Sequence, residues 1–244
     1  MNQIPNAAAR KTPGLVNWVG YLAITLLLAL PIAVLAVRSG EWQQGLLLYA
    51  IGCFGAAILL LLAMVLMLLP RYSSWRKGIA GRALLAVPGT VLLLSLLAGG
   101  NHPRIHDIST DLQDPPVFTA ALQQRGANSN SLETDPETAA LQAAAYPELQ
   151  TLRSTVGYED MFDRAVRVAT AMGWDIYLQD RNAGVIEAVD TTTVMGFKDD
   201  VVIRLRTNAD GTLVDLRSVS RVGVGDLGAN ARRISTFLER LQQG

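Results

Sequence analysis

The chain has 244 residues, half of them hydrophobic and only 17% charged, where soluble domains carry about 25% charged residues. Its zero net charge hides two unlike halves: residues 1–98 hold seven Lys/Arg and one acid, Glu41, while residues 99–244 hold fourteen Lys/Arg against twenty acids. That split excludes a purely soluble globular protein and a strongly basic nucleic-acid binder, and a single cysteine, Cys53, excludes a disulfide-built scaffold.

Three apolar stretches are long enough for helices that cross the hydrocarbon core, which takes roughly 20 residues. They cover residues 14–37, 45–69 and 79–98. Pro31 and Pro88 are expected to kink the first and third, and Pro70 closes the second. Arg82, near the start of the third, is placed to snorkel to the headgroups. The first stretch exceeds a signal-peptide core of roughly 7–15 residues, so an uncleaved helix is expected. No ionisable residue lies at mid-membrane depth, which favours an anchor over a transporter. Gly52 and Ala56 form a small-xxx-small pair, a candidate contact for a homo-oligomer.

Orientation follows from the cations. Arg10 and Lys11 precede the first helix, and Arg71, Arg76, Lys77 and Arg82 sit between the second and third. The other loop has Arg38 alone, offset by Glu41. The N-terminus is therefore expected in the cytoplasm and the chain beyond residue 98 on the far side, which in a Gram-negative inner membrane is the periplasm.

Residues 99–157 read as an extended arm and linker with one short helix, N-capped by Asp135 with Pro136 in first position. Residues 158–244 read as the core of the outer domain. A helix begins near Tyr158, with Met161, Phe162, Ala165, Val166, Ala169 and Met172 at helical spacing. Period two then marks strands near 174–179, 185–190, 200–206 and 212–221, with a hairpin turn at Asn208–Gly211. Asp226 caps a last helix carrying Ile234, Phe237, Leu238 and Leu241. The expected fold class is α+β, a four-stranded antiparallel sheet packed by helices on one face.

Several segments together resemble a known family. They are His106-Asp107-Ile108-Ser109-Thr110-Asp111 with Pro115-Pro116-Val117-Phe118; Ala145-Tyr146-Pro147; Ile186-Glu187-Ala188 with Phe197 through Arg204; and Val214 through Gly223 with Asp226 through Ala231, Arg233 and Ile234. The pattern resembles the bacterial and plastid family named domain of unknown function 1499, over about residues 102–242. The resemblance implies a domain that occurs alone or behind membrane helices, with no established activity.

The richest candidate site lies on the last two strands. If Thr207 pairs with Thr212 across the turn, Arg204 lies opposite Asp215 and Val202 opposite Arg217. Arg204, Arg206, Asp215, Arg217 and Arg221 then share the face away from the helices. Guanidinium forks suit carboxylate and phosphate oxygens, so Arg204, Arg206, Arg217 and Arg221 are the candidate ligand-binding residues. The competing reading is a cross-strand salt-bridge lattice with Asp215, Glu187 and Asp175. The glycine-rich lead Gly223–Gly228 reads as a structural turn. His106, Asp107, Ser109, Asp111, Asp215, Ser218, Asp226 and Asn230 are expected to serve structure. His102 and His106 are separated by Pro103 and should diverge, so no metal site, cofactor or catalytic residue is assigned.

The expected function is a periplasmic binding or scaffolding domain on an inner-membrane anchor, recognising an anionic envelope component or another membrane protein. Its partners would be the lipid bilayer and that ligand, not nucleic acid. The alternative is a membrane-tethered hydrolase or lipid-modifying enzyme using His106 or Asp107 with Ser218 and Ser220. Proximity of His106 to those serines separates the two.

Overall fold

The structure, a computed structural model, describes residues 11–100 and 102–243; Arg10 and Asn101 lie outside them. The chain divides into two compact units between Gly99 and Gly100.

In the first unit, α1 (Gly14–Arg38) and α2 (Trp42–Leu68) are followed by a 3-10 segment, Pro70–Trp75, then α3 (Arg76–Ala83), a 3-10 turn at Leu84–Ala86, and α4 (Val87–Ala98). Three helical stretches, Gly14–Arg38, Trp42–Leu68 and Pro70–Ala98, are long and apolar enough to cross a membrane. The third, expected as one helix over 79–98, is interrupted. Pro88, in the first turn of α4, has no N–H to give the carbonyl of Leu84. Packing is small-inside and large-outside. Val16, Val19, Ala23, Ala56, Ala63 and Ala83 are buried, whereas Leu35, Leu47, Ile58, Leu61 and Leu68 are exposed. Water would penalise that arrangement, and lipid rewards it by letting backbones approach closely.

Small residues set those approaches. A Cβ on Gly89 would lie 2.8 Å from the Cβ of Ala56 and 3.4 Å from the carbonyl of Gly52. The Gly52–Ala56 pair thus receives α4 of its own chain. Arg82 turns back on its own helix: Nη1 donates to the Gly78 carbonyl at 2.9 Å, Nη2 lies 3.4 Å from Asn17 Oδ1, and its stem covers Gly20.

The second unit carries a six-stranded antiparallel sheet, two strands more than expected. Its strands are β1 (Asp107–Ser109), β2 (Leu152–Ser154), β3 (Asp175–Asp180), β4 (Val185–Thr191), β5 (Lys198–Asn208) and β6 (Gly211–Ser220), with order β1-β6-β5-β4-β3. The two extra strands come from the segment read as an arm. Both lie along the same side of β6, β1 opposite Arg217–Val219 and β2 opposite Thr212–Val214. They make one edge strand, interrupted where the chain leaves at Thr110 and returns at Thr151. Three residues give too little alternation for a period-two signal, which is why sequence pattern misses both.

Between these strands run α5 (Ala121–Gln124) and α6 (Pro136–Ala145); α7 (Tyr158–Ala171) and α8 (Ala229–Gln243) complete the unit. Asp135 caps α6 as expected, accepting from the amides of Glu137 and Thr138. One face of the sheet buries Ile186, Val201, Ile203, Val214 and Leu216 against Met161 and Phe162 of α7 and Ile234, Phe237 and Leu241 of α8. Trp174 stacks on Phe237 at 5.2 Å. The opposite face is covered as well: Phe118, Ala121 and Leu132 of the excursion pack on Val202 and Val219. Helix α8 starts at Ala229, three residues after Asp226, because Leu227 (φ +54°) and Gly228 (φ +75°) take left-handed conformations. Asp226 still accepts from the amides of Gly228 and Asn230, at 2.8 and 2.7 Å.

Candidate functional site

The register expected from the turn is the one observed: Thr207 opposite Thr212, Arg204 opposite Asp215, Val202 opposite Arg217. Arg204, Arg206, Asp215 and Arg217 therefore line the face that the excursion covers, and Arg221 joins them through Asp200. All four candidate arginines are paired within the chain. Arg204 meets Asp111, Asp114 and Asp215 at 3.1, 2.9 and 3.1 Å. Arg206 meets Asp215 at 2.6 Å and Asp111 at 3.3 Å. Arg217 grips Asp107 with Nε and Nη2 at 2.9 and 2.6 Å. Arg221 holds Asp200 at 2.7 Å, and Arg125 reaches the other oxygen of that carboxylate at 2.6 Å. This is a lattice, but its acids are Asp107, Asp111, Asp114, Asp200 and Asp215. Asp175, expected among them, is exposed at the start of β3. Among the described residues Glu187 pairs with no arginine.

The lattice has a mechanical role. Buried charges are tolerated only when their hydrogen bonds are met, and here the excursion's backbone meets many of them. Glu187, fully buried, accepts from the amides of Thr119, Ala120 and Ala121 and from the Thr119 hydroxyl. Arg217, 2% exposed, donates to the carbonyls of Leu132 and Pro116. Arg221 donates to the carbonyl of Gln124 and Arg204 to that of Asp114. Asp215 sits, fully buried, at the break in the edge strand. It takes the hydroxyls of Thr110 and Thr151 on one oxygen and the two arginines on the other. Burial would raise the Asp111 carboxyl. The amides of Asp114 and Gln113, with Arg204 and Arg206, outweigh it and hold the group below the usual carboxylate range.

The other expected structural residues divide between the faces. Ser109 Oγ donates to the Asp111 carbonyl, and its backbone is gripped from both sides by the buried amide of Gln142. On the helical face Ser218 donates to Asn230, whose amide nitrogen reaches Ser220 Oγ and the His106 carbonyl. Arg233 closes this cluster onto Asp190 and Asp199. The amide of Ser220 donates to the His106 carbonyl at 2.9 Å, so His106 adjoins the serine strand. Both serine hydroxyls, however, are buried and engaged with Asn230. His102 lies apart, its Nδ1 3.2 Å from the Tyr146 hydroxyl. Among the described residues no three His, Cys, Asp or Glu side chains converge as a metal site would require.

The Arg217–Asp107 part of the lattice borders a cleft. The cleft, of about 320 Å³, lies within the excursion, between its first residues and α6, walled by Leu112, Pro115, Pro136 and Ala139, with Asp107, Ser109, Gln142 and Arg217 at its polar lining. Sequence reasoning missed Gln142, Asp114, Asp200 and Arg125. Asp200 was within reach, because it shares the period-two face of Val202, Arg204 and Arg206. Gln142 gave no signal in an alanine-rich helix.

The fold and this buried ionic face define an α+β domain behind three helices able to cross a membrane. Residues 107–241 match the family described as protein of unknown function (DUF1499), and the chain belongs to that family. No curated protein matches the chain.

Proposed function

We propose that the protein is a multi-pass inner-membrane protein, N-terminus cytoplasmic, that displays its DUF1499 domain in the periplasm as a binding or scaffolding module. The charge flanking the helices supports the orientation: Arg71, Arg76, Lys77 and Arg82 on one side, with Lys11 and Arg10, against Arg38 and Glu41 on the other. The binding role rests on one observation, the cleft that borders the Arg217–Asp107 pair of the lattice. All four arginines tie down the excursion, and of them Arg217 alone borders the cleft. Its charge is matched by Asp107, and Asp135 adds a carboxylate at the rim. The lining therefore suits a polar group that is uncharged or zwitterionic, such as the hydroxyls and amides of an envelope glycan or peptide, better than a free anion.

The full chain, extracted with its surrounding lipid, would be weighed by native mass spectrometry beside Ala139→Phe, which narrows the cleft and replaces no lattice residue. An extra mass on the wild type that Ala139→Phe lacks supports the binding role; identical bare masses refute it. A C-terminal reporter active only outside the cytoplasm tests the orientation.

A further inference from the structure

The loop Gly223–Gly228 is the turn that leads into α8, and two of its side chains are out of place for a soluble loop. Val224 is 65% exposed and Leu227 62% exposed. Leu227 also holds φ +54°, a conformation that glycine and asparagine adopt readily and leucine resists. Neither packing nor backbone preference accounts for a leucine there. An outlier of this kind points to what the side chain meets outside the fold.

The loop is fixed to the segment that follows α4. The Asp226 amide donates to the Ile105 carbonyl. A Cβ on Gly225 would lie 3.2 Å from the Cα of Arg104, and one on Gly228 would strike the His102 ring at 2.7 Å. His102 follows Ala98, the last residue of α4, by four steps, and four residues span at most about 14 Å. Covalent length alone therefore keeps the His102 backbone within that reach of Ala98. Exposed cations flank it: Arg104, and Arg232, whose Nη1 donates to the Leu227 carbonyl. The Asp226 carboxylate is turned inward onto the Gly228 and Asn230 amides.

We propose that this loop is a membrane-docking element: Val224 and Leu227 enter the interfacial region of the bilayer that α4 spans, with Arg104 and Arg232 at the headgroups of anionic lipid. Apolar side chains flanked by cations bind such interfaces by area and charge together. This rests on the membrane anchoring in the proposed function but not on which side the domain faces.

The test uses the full chain with Cys53→Ala, reconstituted in vesicles of phosphatidylethanolamine and phosphatidylglycerol. An environment-sensitive fluorophore is placed in turn at Val224→Cys, Leu227→Cys, Leu122→Cys and Leu94→Cys. Leu94, exposed on α4, reports whether the helix is inserted, and Leu122, exposed on α5, is the water control. Blue-shifted emission at 224 and 227, quenched by nitroxide at shallow lipid depth, with a water-like signal at 122, is the expected result. Water-like emission at 224 and 227 while Leu94→Cys is quenched at depth overturns the docking alone. An unquenched Leu94→Cys overturns the anchoring and the docking with it. Leu227→Asn, which suits the left-handed backbone, should keep the fold and weaken quenching at 224; undiminished quenching there would remove Leu227 from the contact. Cross-linking through 227 without lipid quenching would make the surface an interface between copies and refute the lipid.

Discussion

Replacing Arg217 with methionine separates a lattice arginine from a ligand-binding one. Methionine keeps the stem's volume and its contact with Phe118, whose ring lies 5.6 Å from the guanidinium. It deletes the two-pronged grip on Asp107 and leaves the Leu132 carbonyl, now 2.8 Å from Nη2, without its donor. Breaking a buried ion pair by removing one partner costs roughly 3–5 kcal/mol. Asp107 borders the open cleft and can regain water, which puts the cost at the low end, about 3 kcal/mol. Because the lost bonds hold the excursion to the sheet, the first effect is local opening, and amides within residues 111–135 should exchange roughly a hundredfold faster. Hydrogen exchange of the full chain read by mass spectrometry measures this, with a fall in Tm on the order of 10 °C as a companion. Adding Asp107→Asn should cost much less in the variant than in the wild type, since the two groups share one interaction. Unchanged exchange and Tm would refute the lattice account and return Arg217 to an external ligand.

Glu187→Leu strands the amides of Thr119, Ala120 and Ala121, and at about 1–3 kcal/mol for each buried unmet donor it should lower stability by roughly 3 kcal/mol in urea unfolding. Acid should release the same segment through Asp111. Its folded carboxyl lies below the ordinary value of 3.8, so its stabilisation is complete above about pH 4 and is lost as pH falls through the folded value; protection of residues 111–114 measured against pH should show that loss, and Asp111→Asn should abolish it. Gly211→Ala meets backbone on two sides, since its Cβ would lie 2.2 Å from the Ser154 carbonyl oxygen and 2.8 Å from the Cα of Thr155 at φ +147°. A loss of at least about 2 kcal/mol in thermal unfolding is expected.

How much of this was legible in the sequence depends on the range of the interaction involved. The hairpin of β5 and β6 is local: Thr207 and Thr212 flank the Asn208–Gly211 turn, and alternation then places Arg204 against Asp215. The helices α6 and α7 likewise announce themselves, by Asp135-Pro136 and by the spacing from Met161 to Ala169. What stayed hidden joins residues far apart. Asp107 and Arg217 are 110 positions apart, and nothing in either neighbourhood names the other. Glu187 looked like a cross-strand partner for arginine, yet it binds backbone amides that no side-chain pattern can display. The family resemblance, by contrast, was carried by long segments and is matched over residues 107–241.

The interrupted edge strand bears on how the protein is made. Both β1 and β2 pair with β6, which is synthesised after every other strand of the sheet. A ribosome that has released the helices and the excursion has still produced no template on which Asp107 or Leu152 can dock. Until Gly211–Ser220 emerges, the long segment between Thr110 and Thr151 hangs as an open loop, with Phe118 and Leu132 unprotected. Pairings of such high sequence separation form slowly and leave apolar segments exposed meanwhile. Assembly of the second unit thus waits for β6, and a chain cut short before it would lose the edge, the excursion and the ionic face together.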